Sequence, residues 1–570
     1  MKTNKISILS ILALTVAFCG CDEDKFLTQV NPNQLTEATF WSSEADANAA
    51  LTTVYAALQL QSVSGGDLNY EMVKSDLGGT NDWTRHFDYT ELSVSDVDGP
   101  VERSWAELYI GIFRANQVIR LVPGIEEDDF TDEEKTLIVA QARFLRAFFY
   151  FEIAYKFGQG VITTTSTGTD EDIHIPLSTQ QEIIDQVIMP DLEFALENLP
   201  SADDLDNDDM GRVTWGAAKT LQGKIYLYAQ DWDAAAAAFL EVIQSGSYSL
   251  VSDPLDNFNH TSKFNSESIF EVPFDGEINA GSTDTQQVDD TPFNTGSESS
   301  TMARWFAPYS LAGWQVVMPT YFAHELMLAD SVSGSSDRSA RYNVNVVGSR
   351  DNTIYYYDQP SVLRAEVGRR WGFGESAYIK KYTNWYHQDD EGVEWRTSIN
   401  FKHMRLADVY LMYAEAVLES TGDIATAIEY IDRVRSRAGV VLLQDYIDAN
   451  GTIPQLHVSA ELYGTRPQVA PTLENIRTHL RMVERPTELC YENTRWRDLV
   501  RWDIVQSVME SHLADENIRV GLGPNENRPP LHIAGRIRPD FVNVGVGNYD
   551  PETDNYFPIP SIEVQNNQGF

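Results

Sequence analysis

The sequence predicts a mainly α-helical protein, a scaffold of antiparallel helix pairs carrying one large loop-rich insertion with short strands. Three observations predict this. The stretch 211–243, GRVTWGAAKTLQGKIYLYAQDWDAAAAAFLEVI, reads as two helices turning at Gln230-Asp231-Trp232. Asp231 or Asp233 can cap the second helix, and its five consecutive alanines are strong helix formers of little bulk, so a partner can sit close. A second stretch, RLADVYLMYAEAVLESTGDIATAIEYIDRVRSRAG at 405–439, repeats the arrangement around Gly422-Asp423. Between about 248 and 400 the helical period is lost, and Gly, Ser, Thr and Asp tracts alternate with aromatic clusters.

Taken in order, residues 1–20 carry Lys2 and Lys5, an apolar run from Ile6 to Phe18, and then Cys19-Gly20-Cys21. This reads as a signal peptide, with Cys21 as the lipidated first residue of the mature chain; ordinary secretion with cleavage nearby is the other reading. The arm from Phe26 holds Pro32 and several Asn residues. It leads to a helix that Ser43 can cap, with Glu44 and Asp46 at the positive end of its dipole. Trp41, just before it, is placed to staple onto that helix. A polar loop is expected over 65–99, then a helix from about Ser104 to Leu121 with Trp105, Leu108, Ile112, Ala115 and Ile119 on one face.

Thr131 and Glu134 form a capping box for a long helix to about Phe157, closed by Gly158 and Gly160. Its expected apolar stripe is Leu137, Phe144, Phe148 and Phe151, which leaves Arg143 and Arg146 to pair with acids. Another helix runs from Gln180 to Leu199. In the pair at 211–243, Gly223, Tyr226, Ala235 and Phe239 fall at the spacing of the tetratricopeptide helix pair, where a small residue permits close approach and aromatics fill the groove. Residues 268–274 read as a strand, a helix is expected near Tyr321 to Leu328, and helical order returns at Arg405 and again from Leu473 to about Val508. The end, NYFPIPSIEVQNNQGF, reads as extended, and Cys490 as a buried thiol on a helix.

The formal charge is −43. That sign excludes nucleic acid as a partner and disfavours anionic glycans or lipids except at a local basic pocket. No metalloprotease, nucleophile-elbow or phosphate-loop motif is present, and only Cys21 and Cys490 remain after cleavage. Asp204, Asp206 and Asp208 begin like a calcium loop, but the required Gly and Glu do not follow, so a solvated turn is expected and no metal or other cofactor is assigned.

Several blocks occur together and in order: the lipoprotein cysteine with its Asn/Pro arm and EADANAAL helix, RFLRAFFYFEIAYKFG, GRVTWGAAKTLQGKIYLYAQDW, RLADVYLMYAEAV with RVRSRAG, ENTRWRDLVRWD and the terminal FPIP. In this combination the chain resembles the SusD/RagB family of outer-membrane nutrient-binding lipoproteins. Pro486 and Asn493-Thr494 depart from the family pattern and affect local geometry only. The resemblance implies a signal peptide over 1–20 and one SusD-like domain over 21–570. Its parts would be an N-terminal helical scaffold at about 26–247, a ligand-binding insertion at 248–400 and a C-terminal helical part at 401–570. It implies a non-catalytic, cell-surface protein, anchored in the outer membrane through Cys21, lying as a lid over a SusC-like TonB-dependent transporter and delivering oligosaccharide to it. The acidic run Asp22, Glu23, Asp24 resembles the mark for export to the outer face of that membrane.

A neutral sugar offers a face of C–H groups and a rim of hydroxyls, so a binder needs exposed rings with Asn, Asp or Arg beside them. Two segments offer this. One is GGTNDWTRHFDY, with Trp83 for stacking and Asn81, Asp82 and Arg85 for hydrogen bonds; the other holds Trp305, Tyr309 and Trp314. Core packing competes with ligand contact for each ring, and Trp371, Trp385 and Trp395 are weaker candidates. Trp105, Trp215, Trp232, Trp496 and Trp502 are expected to pack on helices. Three rival functions stay open: a peptide-binding, RagB-type member of the same family, a surface glycosidase, and a purely structural lid whose ligand contacts belong to the transporter.

Overall fold

A computed structural model describes residues 40–80, 84–164, 174–278, 299–307, 313–330, 332, 335, 337–348, 377–386, 397–522, 546–567 and 569. Helix α1 (Glu44–Ala56) starts where Ser43 accepts a hydrogen bond from the Asp46 amide. Residues 65–99 are not one loop. They contain α2 (Leu68–Lys74), the two-residue strand β1 (Gly78–Gly79) and α3 (His86–Thr90). Every residue of α2 is buried. Its Glu71 meets Lys156 at 3.0 Å and Arg497 at 3.3 Å, so the polar pattern that suggested solvent marks buried ion pairs.

Helix α4 (Gly99–Leu121) begins earlier than expected, with Pro100 in its first turn. Helix α5 (Asp132–Phe157) has both halves of the Thr131–Glu134 capping box and stops at Gly158, whose φ is 73°. Phe144, Phe148 and Phe151 are buried, but Leu137 lies on the solvent side at 36% exposure. Arg143 and Arg146 both reach Asp191, at 3.6 and 2.7 Å. The antiparallel strands β2 (Gln159–Val161) and β3 (Leu177–Thr179) lead into α6, residues 180–198, whose middle is a π-turn at Ile184–Ile188.

The pair α7 (Trp215–Tyr228) and α8 (Trp232–Ser245) is capped by Thr214 and Asp231. A Cβ on Gly223 would lie 2.6 Å from the Phe239 ring, so the helices approach as closely as they do because residue 223 has no side chain. In the insertion follow β4 (Ser268–Val272), α9 (Met302–Phe306), β5 (Met318–Pro319), α10 (Tyr321–Ala329), α11 (Ala340–Asn345), β6 (Val346–Gly348) and β7 (Ala377–Ile379). Strand β8 (Phe401–Arg405) pairs antiparallel with β4, and the following helix α12 starts at Leu406, not Arg405. The remaining pairs are β1 with β5 and β6 with β7.

Helices α12 (Leu406–Thr421) and α13 (Ile424–Arg437) turn at Gly422, φ 70°, with Asp423 as the next cap. Then come α14 (Leu443–Asn450), the β9 (Ile453–Pro454) and β10 (Gln468–Val469) pair with α15 (Ala460–Tyr463) between them, and α16, residues 473–488. The π-turn Leu480–Glu484 precedes Pro486, the residue whose ring would clash with a carbonyl in a regular α-turn, so the helix starts on time and widens to admit it. Cys490 is not helical. It lies in the tight turn after α16, where Tyr491 and Asn493 have φ of 62° and 59°, and burial pushes its thiol up to about 12. Helices α17 (Arg495–Arg501), α18 (Val505–Leu522) and α19 (Ser561–Asn566) complete the order, the last within a stretch expected to be extended. Among the described residues no helix is long and apolar enough to cross a membrane.

A row of buried ion pairs joins these parts. Arg405 of β8 bonds Glu267 at 2.8 Å and Glu488 and Glu492 at 2.7 Å. Arg485 spans Asp408 of α12 and Asp498 of α17, and Arg497 reaches back to Glu152 of α5 at 2.7 Å. Arg341 of α11 and Arg435 of α13 share Glu484. Burial alone would raise the Glu488 carboxyl, but Arg437, Arg405 and Arg341 outweigh it and hold it at about 2. Glu152 and Asp408 are held at about 2 in the same way by Arg497 and by Lys224 with Arg485.

Replacing Arg405 by Met leaves Glu267 and Glu488 to Arg437 and Glu492 to Lys381, one buried positive charge short, and urea titration should show a loss of about 3–5 kcal/mol. The pH dependence follows from the depressed carboxylates. The stability contributed by Glu152, Asp408 and Glu488 is complete above their ordinary values of 4.5, 3.8 and 4.5 and is lost as pH falls toward about 2. His403, which burial keeps neutral down to about 3, acts in the same direction below 6.5. Thermal midpoints measured at stepwise lower pH should therefore fall steeply below about pH 4.5.

Candidate functional site

The antiparallel β1–β5 pair joins the two segments singled out by their aromatics. Gly78 faces Pro319 and Gly79 faces Met318, while the Thr320 amide donates to the Leu77 carbonyl and its hydroxyl to the Asp76 carbonyl. On one flank, Thr80 and Thr84 hydroxyls lie 2.9 Å apart across the turn into α3. On the other, the backbone folds back on α9: the Trp314 amide donates to the Arg304 carbonyl at 2.7 Å, and the Val316 amide to the Trp305 carbonyl at 2.8 Å. Gly313 is required there, since a Cβ would lie 2.3 Å from the Ala307 carbonyl oxygen.

This backbone puts Trp305 and Trp314 edge to face, ring centroids 4.5 Å apart and planes at 85°, both half-buried. The Arg304 guanidinium lies over the Trp314 ring at 4.2 Å. Beside Trp305, at 5.1 Å, is the His86 imidazole, which stacks on Tyr70 at 4.0 Å with planes 6° apart. Tyr70 packs on Tyr89, whose hydroxyl donates to Asp98 at 2.5 Å, and Asp98 faces the exposed Arg85 guanidinium at 3.8 Å. A continuous chain of contacts thus runs from Arg85 to Trp314. Burial lowers the His86 ring to about 3, so it is neutral, and its Nε2 is buried with no hydrogen-bond partner among the described residues.

Of the residues the sequence pointed to, Trp305 and Trp314 are brought together, and Arg85 is linked to them through Asp98, Tyr89, Tyr70 and His86. Asn81, Asp82, Trp83, Tyr309 and Cys21 lie outside the described residues, as do Trp371 and Trp395. Trp385 is elsewhere, half-buried with Lys380 Nζ 3.3 Å above its ring. Trp105, Trp496 and Trp502 are core residues; Trp41, Trp215 and Trp232 are half-buried on the scaffold. Sequence reasoning missed Tyr70 and His86. His86 adjoins Arg85 in a stretch read as loop, and only its place on α3 turns it toward Trp305. The acidic turns 202–204 and 207–209 are single 3₁₀ turns, and among the described residues no group of three His, Cys, Asp or Glu is placed to hold a metal.

A helix-pair scaffold that carries an aromatic cluster on irregular, loop-rich segments defines a class of helical binding scaffold. The comparisons make the class specific. Residues 266–570 match the model of the SusD family, and residues 25–227 match a second model described as starch-binding associating with outer membrane. The chain belongs to the SusD family. It is 27% identical over 564 residues to a SusD-like protein of Formosa agariphila, covering 94% of this chain and 95% of that one. Its fold is similar to that of a SusD superfamily protein from Bacteroides vulgatus, with a TM-score of 0.71, 24% identity and 93% and 98% of the two chains covered. It is also similar to surface glycan-binding protein A from Bacteroides thetaiotaomicron, solved in complex with laminarihexaose, with a TM-score of 0.64, 18% identity and coverage of 92% and 98%.

Gly66 supports the Trp305 indole: a Cβ there would lie 2.4 Å from its Nε1. Gly66→Ala should displace that ring, cost about 1–3 kcal/mol in a urea titration and shift the tryptophan emission. An unchanged spectrum would show that the indole is not seated on Gly66.

Proposed function

We propose that this protein captures a neutral oligosaccharide at the cell surface and passes it to a SusC-like TonB-dependent transporter in the outer membrane. The observation that carries this reading is the Trp305–Trp314 pair held edge to face on the β1–β5 platform, with Arg304 over the Trp314 ring and the exposed Arg85 at the far end of the same chain of contacts. Two perpendicular rings give a sugar chain a bent apolar surface for its C–H faces, and guanidinium groups donate to its hydroxyls. Trp83 and Tyr309, in the flanking segments, would extend the stacking surface, and Asn81 and Asp82 would take further hydroxyls.

The other parts of the reading have separate support. The laminarihexaose complex of a similar fold favours a glycan over a peptide. The outer-membrane description of the second family model favours attachment at that membrane, with Cys21 as the lipidated residue. Binding without turnover suits the chemistry of the cluster, since Asp98, the carboxylate in this chain of contacts, is already engaged by Tyr89 and Arg85, and His86 is held neutral. In this assignment the insertion at 248–400 supplies most of the ligand contacts, and the helix pairs supply the surface for the transporter.

The test is calorimetric titration of the soluble form, beginning after Cys21, with laminarihexaose, other neutral oligosaccharides and mixed oligopeptides. One glycan class should give saturable heat. Trp305→Ala and Trp314→Ala should each weaken it roughly tenfold or more, about 1.4 kcal/mol for a lost stacking ring. Heat with peptides alone would move the protein to the RagB-type reading, new reducing ends would make it a glycosidase, and unchanged affinity in both mutants would remove the site from this wall.

A further inference from the structure

A second cavity, apart from the aromatic wall, lies among α2, α10, the segment 456–459 and α18. About 60 Å³ of it is open to water-sized molecules. At about 10–15 Å³ per water this holds roughly four to six non-hydrogen atoms, too few for a sugar ring with its hydroxyls. The walls are mostly apolar, from Phe322, Leu326, Leu456, Val508 and Met509.

Most of the other charged groups around it have a partner, although Glu325 and Glu516 share one guanidinium. Asp76 is held by Arg495 at 2.7 Å, Glu325 and Glu516 by Arg519 at 2.9 and 2.7 Å, and Asp515 takes the Tyr463 hydroxyl at 2.6 Å. Lys74 donates to the Asp554 carbonyl at 2.8 Å and lies over the Trp496 ring. Arg466 differs. It lines the cavity half-buried, its Nε is buried, and among the described residues it has neither a hydrogen bond nor an ion pair within 4 Å, with Glu325 attracting it from a longer range. His457 lines the same cavity with a buried, unpartnered Nδ1, and burial holds its ring at about 4, so it is neutral near pH 7.

A guanidinium with a buried, unpaired N–H is short of an acceptor, and a carboxylate is the acceptor whose two oxygens match its fork. We propose that this cavity binds a small monocarboxylate, its short aliphatic body against Leu326, Leu456 and Met509 and its carboxylate on Arg466, with the Nδ1–H tautomer of His457 as a second donor. One cation calls for one negative charge. A dianion such as phosphate would meet the four neighbouring carboxylates with half its charge uncompensated. The site differs in class from the aromatic wall, which faces a neutral ligand, so the two stand or fall separately.

Saturation-transfer NMR and calorimetry with ethanoate, propanoate and butanoate test this, with the matching neutral amides as controls and N-acetylglycine, whose acetyl end would stay at the mouth, to distinguish a free acid from the carboxyl end of a peptide. The expected result is saturable binding of at least one acid, at least tenfold weaker for its amide. Arg466→Gln should lower that affinity tenfold or more, Arg466→Lys should recover part of it, and both variants should keep the wild-type thermal midpoint and glycan titration. N-acetylglycine binding better than the free acids keeps the chemistry and identifies a peptide end as its source. Amides that bind as well as acids, Arg466→Gln that binds as well as wild type, or no binding of any acid at 10 mM (roughly 2.7 kcal/mol of affinity or less) would overturn the proposal.

Discussion

The fold depends on taking arginine out of water only where carboxylates already wait for it. Segment 484–501 supplies Glu484, Glu488, Glu492 and Asp498 on one side of this exchange and Arg485, Arg497 and Arg501 on the other. Their partners come from α5, α11, α12, α13 and β8, so one short stretch near the C-terminal end ties the helical scaffold to the insertion. Such pairs add little net stability over a well-packed apolar core, but breaking one is expensive because the survivor stays buried and charged. The constraint therefore acts mainly on geometry. An α12 or β8 shifted by one residue would leave Arg405 or Asp408 facing apolar neighbours.

The aromatic wall inherits its position from the same row. Asp76 is bound by Arg495 of α17 at 2.7 Å, and its backbone carbonyl accepts the Thr320 hydroxyl next to β5. Two residues beyond Asp76 the chain enters β1, and six residues before Thr320 it carries Trp314. A two-residue ladder is too short to be stable by itself. Here it is clamped at one end by an ion pair and at the other by the hydrogen bonds between Trp314–Val316 and α9. Rings held in this way lose little further freedom when a ligand stacks on them, and so less of the contact energy is spent on ordering.

Sequence reading succeeded where local rules are strong and failed where long-range pairing overrides them. The caps Ser43, Thr131, Asp231 and Asp423 and the glycines at 158, 223 and 422 are visible because each acts on its own few neighbours. Helix α2 was taken for loop because Glu71 and Lys74 look like surface residues until Arg497 and Asp554, more than 400 positions on, are brought beside them. β8 is not legible because Lys402 and Arg405 alternate with Phe401 and Met404 in a way that also fits a helix face, so Arg405 reads as the start of α12, and only Glu271 and Glu267 across the ladder show that the charged side is buried. In the candidate site the tryptophans were legible from composition alone. Tyr70 and His86 were not, since nothing local separates a stacked tyrosine–histidine pair from two polar-loop residues.

Charge explains how the two proposed binding surfaces would coexist. A chain at −43 repels anions over most of its surface, within a screening length of about 8–10 Å in physiological salt. A neutral chain of hydroxyls is indifferent to that field, and it can approach the half-buried Trp305–Trp314 wall from any side. An anion gains only where the field is cancelled locally by a cation that no side chain has claimed. The buried row makes such cations scarce, since it consumes Arg341, Arg405, Arg435, Arg437, Arg485, Arg497 and Arg501 in internal pairs. Arg466, which among the described residues has no hydrogen bond or close ion pair beside an apolar crevice, therefore stands out against a row that elsewhere matches guanidinium to carboxylate, and the surrounding excess of acid would favour a small ligand of single charge at the proposed site.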